Sequence, residues 1–164
     1  MQTCSSRQNA AVAVFRQRNI VGEVVATQMG PNTTRVVAVF SRLPAGPHGF
    51  HIHEAGDLRG EGCTGACAHF HVGAPARHGG PPHHRGATQR HTGDLGNIEI
   101  ADGAKQTRRQ YILDGVTPMD LWGRSVIIHQ DEDDLGLGGH ADSHTTGHSG
   151  ARIGCAVFGR AVVA

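Results

Sequence analysis

Apolar and polar residues alternate along this chain in segments of roughly six to eleven residues, and turn signals break each segment before a helical period can develop. Alternation of this kind sends successive side chains to opposite faces of a strand. Eight strands are expected: Ala11–Arg18, Ile20–Thr27, Thr34–Ser41, Gly49–Glu54, Gly96–Ala101, Thr107–Leu113, Trp122–His129 and Arg152–Val162. Gly30-Pro31-Asn32, Pro44-Ala45-Gly46-Pro47, Asp102-Gly103 and Asp114-Gly115 mark turns between them. With 24 glycines in 164 residues and an aromatic fraction of 4%, the composition suits short strands and many turns better than a helical bundle. An all-β, antiparallel sandwich or barrel follows, without internal repeats.

The length fits a single domain, read as residues 11–164 behind a flexible tail of residues 1–10. A formal net charge of +1 gives no global field for nucleic acid or a membrane surface. Met1–Ala10 is polar, and no stretch reaches the ~20 apolar residues of a membrane span. The chain is therefore expected to be cytoplasmic. Four cysteines, Cys4, Cys63, Cys67 and Cys155, are too few for a disulfide scaffold but enough for one bridge.

Two segments break the strand rhythm, from about residue 55 to 93 and from 130 to 150, and both are rich in Gly and His. Structureless connections this long are usually functional or disordered, and 13 histidines favour function. In Gly49-Phe50-His51-Ile52-His53, Phe50 and Ile52 point one way and the two imidazoles the other. Residues two apart on a strand lie roughly 6.5–7 Å apart, close enough for both rings to meet one ion. Val126-Ile127-Ile128-His129 repeats the pattern. The apolar sets want the core, so the histidines should stand outside the barrel wall beneath a long loop. His69, His78, His91 and Asp94 add three imidazoles and a carboxylate, a set that suits zinc. Strand and loop imidazoles sharing one further histidine would suit copper. His71, His83 and His84 lie in the same loop, so spacing alone does not choose the ligands.

Several blocks narrow the choice. Gly49-Phe50-His51-Ile52-His53-Glu54, His78-Gly79-Gly80-Pro81, His91-Thr92-Gly93-Asp94-Leu95-Gly96-Asn97, Asp133-Asp134-Leu135-Gly136 and Gly150-Ala151-Arg152-Ile153-Gly154-Cys155 closely resemble the copper,zinc superoxide dismutase family, in family order. The resemblance implies an eight-stranded Greek-key barrel with two long functional loops. It implies copper on His51, His53, His69 and His129, and zinc on His69, His78, His91 and Asp94, with His69 as the bridge. Asp133 matches the carboxylate linking His51 to His78. Arg152 matches the channel arginine that holds superoxide, Thr146 a channel residue, and Cys63 and Cys155 the disulfide. The implied activity is superoxide dismutation as antioxidant defence, with His69 relaying a proton. His71, His83, His84, His140, His144 and His148 match no family ligand and are read as solvated.

The resemblance also implies a homodimer through Gly56, Trp122, Gly123 and Val157, although Arg160 falls where an apolar contact is usual. Ala151 and Ile153 flank Arg152 where some relatives carry prolines tied to a copper chaperone, so no chaperone should be required. In the second loop, Ala141, Asp142 and Thr145 stand where the family usually has two glutamates and a lysine, which leaves Arg152 as the principal attractor. The first loop is longer than usual, one residue is added between His53 and Cys63, and Cys67 offers Cys63 a competing partner. A non-enzymatic copper-binding relative and a histidine-rich interaction module are the rival readings; the complete ligand set argues against both.

Overall fold

The computed structural model describes residues 9–85 and 89–162. Its strands are β1 (Ala10–Gln17), β2 (Ile20–Gly30), β3 (Thr33–Arg42), β4 (His48–His53), β5 (Asp94–Ile98), β6 (Thr107–Asp114), β7 (Ser125–His129), β8 (Arg152–Val157) and β9 (Gly159–Arg160). They form two antiparallel sheets, ordered β6-β3-β2-β1-β9 and β5-β4-β7-β8. The chain crosses between sheets after β3, after β5, after β6 and after β8, which gives the Greek-key arrangement. The last expected strand is split at Phe158: β8 pairs with β7 in one sheet, whereas β9 pairs with β1 in the other. That continuous run carries the wall of the barrel from one sheet to the next.

The core lies between the sheets. Val24, Val36 and Ala38 enter from the first and Phe50, Ile52, Val126 and Ile128 from the second, all fully buried. Aromatic rings join the layers: Phe15 and Phe40 have centroids 5.1 Å apart, and Phe40 meets Phe50 edge-on at 6.0 Å. Gly22 sits at a register shift opposite Phe40, and a Cβ there would collide with the Phe40 ring. Glycine is required because the strand must pass that ring closely.

The faces read from alternation for β4 and β7 agree with the structure, and strand ends differ where turns intervene. β5 starts at Asp94 rather than Gly96, because Asp94 already pairs with His51. β7 starts at Ser125 rather than Trp122. The segment before it is a one-turn helix, α1 (Pro118–Leu121), capped by Thr117 and Asp120, and Gly123 follows at φ 78°. Two further helical turns lie in the long loops, at Glu61–Ala66 and as α2 (Ser143–Thr146). Trp122 is half-buried against the core, and its Nε1–H donates to the Ala10 carbonyl at 3.0 Å.

Candidate metal centre

Because Phe50 and Ile52 of β4 enter the core, His51 and His53 leave it on the opposite face. On β7, Val126 and Ile128 likewise face inward. Ile127 packs outward with Ala66 and Cys155 under the first long loop, and His129 shares that face. The loop is stitched to β4 by backbone bonds. The Phe70 N–H donates to the Ile52 carbonyl, Gly93 to Phe70 and Ile52 to Gly93, at 2.8, 2.8 and 2.9 Å. The stitching lays His69 beside His53 and buries both.

Two clusters result. In the first, the ligand atoms of His51, His53, His69 and His129 lie within 4.8 Å of one another; in the second, so do those of His69, His78, His91 and Asp94. Their hydrogen bonds fix where the lone pairs point. The Nδ1–H of His53 donates to the Cys67 carbonyl at 2.9 Å and that of His129 to Gly150 at 3.1 Å. Their Nε2 lone pairs are thereby turned on each other at 3.4 Å, and two lone pairs cannot hydrogen-bond. His51 Nε2 donates to Asp133 Oδ2 at 2.7 Å, leaving His51 Nδ1 buried with no partner among the described residues; His69 Nε2 is buried without one there as well. Four acceptor nitrogens thus converge with no proton among them. Such an arrangement is costly unless a cation occupies the middle.

The second cluster gathers around a carboxylate instead. His78 Nε2 donates to Asp133 Oδ1 at 2.8 Å and His91 Nε2 to the Ala76 carbonyl at 3.1 Å. Their Nδ1 atoms face Asp94 Oδ1 at 3.0 and 3.2 Å, and His69 Nδ1 meets the same oxygen at 2.8 Å. Three imidazoles and a carboxylate around one point form a tetrahedral donor set suited to zinc. His69 contributes one ring nitrogen to each cluster. Asp133 accepts from one histidine of each, and Gly147 at φ 68° leaves the space it needs, since a Cβ there would strike Asp133 and His78.

Electrostatics follow the same division. Burial holds His51, His53 and His69 below the ordinary imidazole range, aided at His51 and His53 by charge on the neighbouring rings, and it pushes His129 down to about 4. These rings are neutral at neutral pH and ready to bind metal. Burial would also lower His78, but its bonds to Asp133 and Asp94 override that and raise it to about 9. Burial would raise Asp94, yet the bonds from His69, His78 and His91 keep it well below the carboxylate range.

A cleft of about 430 Å³ opens over the first cluster, lined by His53, His69, His129, Asp142, Thr145, Thr146 and Arg152. The half-buried Arg152 guanidinium is clamped by the Cys63 carbonyl at 2.7 Å and the Cys67 carbonyl at 2.5 Å. Cys63 is bonded to Cys155, and Cys67 is a free, exposed thiol. Cys4 lies outside the described residues. Gly56, Gly123 and Val157 adjoin one another at the surface.

Not every spare histidine is solvated. His83, His140, His144 and His148 are exposed, but His71 is half-buried. Its Nδ1 accepts the Thr92 N–H at 3.2 Å and its Nε2 donates to Ala74. His84 is also half-buried, with its ring against Gly80. Three supporting residues escaped the reading from sequence. His48 is buried, with Nδ1 against the His129 carbonyl at 2.9 Å and Nε2 near Pro44 at 3.2 Å. Arg90 bonds the carbonyls of Gly80, Thr92 and Asp94, and Asn97 bonds the Asp133 backbone at both its N–H and its carbonyl. His48 could have been flagged, because it breaks the alternation of the block it precedes, a polar ring at the parity of Phe50 and Ile52. The other two act on backbone groups that no pattern announces.

A family model described as copper/zinc superoxide dismutase matches residues 20–158. The superoxide dismutase [Cu-Zn] of Paramecium bursaria Chlorella virus 1 is 50% identical over 157 residues, covering 93% of this chain and 79% of that one. A putative superoxide dismutase [Cu-Zn] of Orgyia pseudotsugata multicapsid polyhedrosis virus is 41% identical over 143 residues, 84% of this chain and 90% of that protein. Among solved structures, the crystal structure of the clock protein EA4 superposes with a TM-score of 0.81 at 34% identity, covering 98% of this chain and all of that one.

Proposed function

The chain belongs to the copper/zinc superoxide dismutase family, and we propose that it holds copper on His51, His53, His69 and His129, and zinc on His69, His78, His91 and Asp94. Its reaction turns two superoxide anions and two protons into dioxygen and hydrogen peroxide. The observation that carries the division of ligands is the set of buried lone pairs. Four imidazole nitrogens meet without a hydrogen between them in one cluster, and three face a carboxylate oxygen in the other. Copper, when bound, supplies the two oxidation states that pass an electron from one superoxide to the next, whereas zinc does no redox chemistry.

The protein's part is placement and protons. Arg152, fixed by two carbonyls at the edge of the cleft, presents positive charge to the anion and orients it toward the four imidazoles. Fixed charge in a cleft can raise on-rates by about 10–10³. Thr146 narrows the approach beside it. His69 Nε2 is the proton carrier: it accepts a proton as the first superoxide is oxidised and returns it as the second is reduced. Its Nδ1 stays turned to the zinc side and sets the ring's orientation. Asp133 keeps His51 and His78 in register through one carboxylate, so the two sites are positioned together.

The setting completes the proposal. We place the enzyme in the cytoplasm as a homodimer; the exposed thiol of Cys67 suits a reducing compartment, in which the Cys63–Cys155 bond is atypical. No helix among the described residues is long and apolar enough to cross a membrane. Ala151 and Ile153 leave Arg152 unflanked by proline, in keeping with copper loading without a chaperone; protein from a chaperone-deficient host should arrive with full copper. Superoxide consumption on protein of measured metal content tests the whole reading. Activity should scale with copper up to one ion per chain beside one zinc, and a fully loaded but inert protein would overturn it.

A further inference from the structure

The net charge of +1 conceals a segregation. Residues 10–42 and 107–114, which build β1, β2, β3 and β6, hold six arginines against two acids, a net +4. The remainder of the chain, with nine basic and twelve acidic residues, carries −3. The metal centre stands on the outer face of the other sheet, so the basic strands form the opposite wall of the barrel. Among the described residues, Arg59 is the only arginine in an ion pair, with Asp57. The arginines of the basic wall therefore have no carboxylate partner there.

That wall is also apolar at its middle. Phe15, Val24, Val36 and Ala38 enter the core, and alternation sends their chain neighbours outward. Val12, Val25 and Val37 stand side by side across β1, β2 and β3. The outward row on one side of them is Val14, Glu23, Val39 and Arg108, and on the other side Thr27, Arg35 and Ile112. Val14 is 44% exposed, and the other outward valines are half-buried. Single surface valines are ordinary, but contiguous ones bordered by unpaired arginines mark an interaction surface. Glu23 is the one acid in these rows.

Charge and apolarity together select the occupant. A nucleic acid would satisfy the arginines but set the valines against phosphate, and no aromatic ring stands in these rows to stack on a base. A protein partner anchors in pockets, and the two described cavities lie on the metal-bearing side. An anionic lipid surface takes methyl groups into its headgroup boundary, meets arginines with phosphate and carboxylate, and asks for no matching contour. We propose that the outer face of β1, β2, β3 and β6 docks on an anionic lipid surface, with the valine rows at the headgroup boundary and Arg16, Arg35 and Arg108 on the headgroups. The cleft beside Arg152 then faces away from the lipid, open to its substrate. The surface stands whatever metals the centre holds.

Metal-loaded protein is sedimented with vesicles of phosphatidylcholine, alone or mixed with phosphatidylserine. Binding should require phosphatidylserine and weaken as added salt screens the arginines; neither measurement needs a variant. Each cation at such a surface is worth about 5-fold in partitioning, so Arg35→Gln with Arg108→Gln should cost about 25-fold. Val14→Thr with Val37→Thr keeps every charge and the β-branched shape, and should weaken binding several-fold. Arg59→Gln removes the same charge from the metal-bearing side and should leave binding unaltered. Copper and zinc content equal to the parent shows that each variant is folded. Absence of binding to the mixed vesicles would overturn the proposal, as would binding that survives the double arginine change or falls equally with Arg59→Gln. Duplex DNA or poly-glutamate bound as tightly as the vesicles, with the valine changes silent, would overturn it too and make the face a site for a polyanion or an acidic protein.

Discussion

His69 and His129 are both buried imidazoles around one point, but they fail differently when removed. His129 serves only the first cluster, and its other nitrogen is satisfied by the Gly150 carbonyl. His129→Ala should therefore abolish dismutation while zinc remains at one per chain, checked by superoxide consumption beside metal analysis; unaltered activity at verified metal content would refute the assignment. Protons report on the same residues in the metal-free protein. His78 is raised to about 9, so the fold favours its charged form. That stability is complete below its ordinary value near 6.5 and fades as pH rises through about 9. His129 is lowered to about 4, so its contribution is present above 6.5 and is lost as pH falls through about 4. Tm of the metal-free protein should thus fall at both ends of that range, and Asp133→Asn should act chiefly by flattening the alkaline limb, since Asp133 is a minor influence on His129. The strand histidines His51, His53 and His129 were legible because period-two alternation fixes their face. Spacing could not choose His69, His78 and His91 over His71, His83 and His84, because that choice is made by long-range backbone bonds such as those joining Phe70, Gly93 and Ile52.

At the scale of elements, strands announce themselves by pattern and short helices by capping chemistry. α1 was present in the sequence as Thr117-Pro118-Met119-Asp120, a capping box with proline at its first turn. A search for helical periodicity passes over it, since four residues hold barely one period. The turn at Glu61–Ala66 has no such signal; Gly62 and Cys63 take left-handed φ angles inside it, and tertiary attachment holds it. That attachment is the Cys63–Cys155 bond, which spans 92 residues and is worth roughly 4–5 kcal/mol by chain entropy. It has a second consequence, because the Cys63 carbonyl is one of the two that clamp Arg152. Cys63→Ser should lower Tm by many degrees. It should also lower kcat/KM at full metal content, because the guanidinium is freed from half of its clamp. A variant with reduced stability and unchanged kcat/KM would show that the Cys67 carbonyl suffices.

For the whole molecule, the question is what covers the outer face beside the disulfide. Gly56 lies against Gly123 and Val157, and Ile153 shares the outward face of β8 with Val157, each 36% exposed. Small residues flanked by branched apolar ones make a flat patch that a second copy can meet by two-fold symmetry. Arg160, three residues beyond Val157, holds its guanidinium 5.8 Å over the Trp122 ring. There it gains a cation–π contact instead of being buried unpaired, so it caps the rim and does not forbid association. Trp122 cannot serve as a freely exposed anchor, because its indole N–H is engaged by Ala10 and its ring packs on the core. The apolar contact must come mainly from Val157 and its neighbours. Val157→Glu is therefore the informative change: the side chain reaches solvent in a single chain, so the barrel should fold, but in a dimer an unpaired carboxylate would be buried at a cost of several kcal/mol. Sedimentation at micromolar concentration should give the mass of two chains for the parent protein and of one for Val157→Glu, with copper and zinc content equal in both. A parent protein of single-chain mass would refute the homodimer, and a dimeric Val157→Glu would move the interface to another face of the barrel.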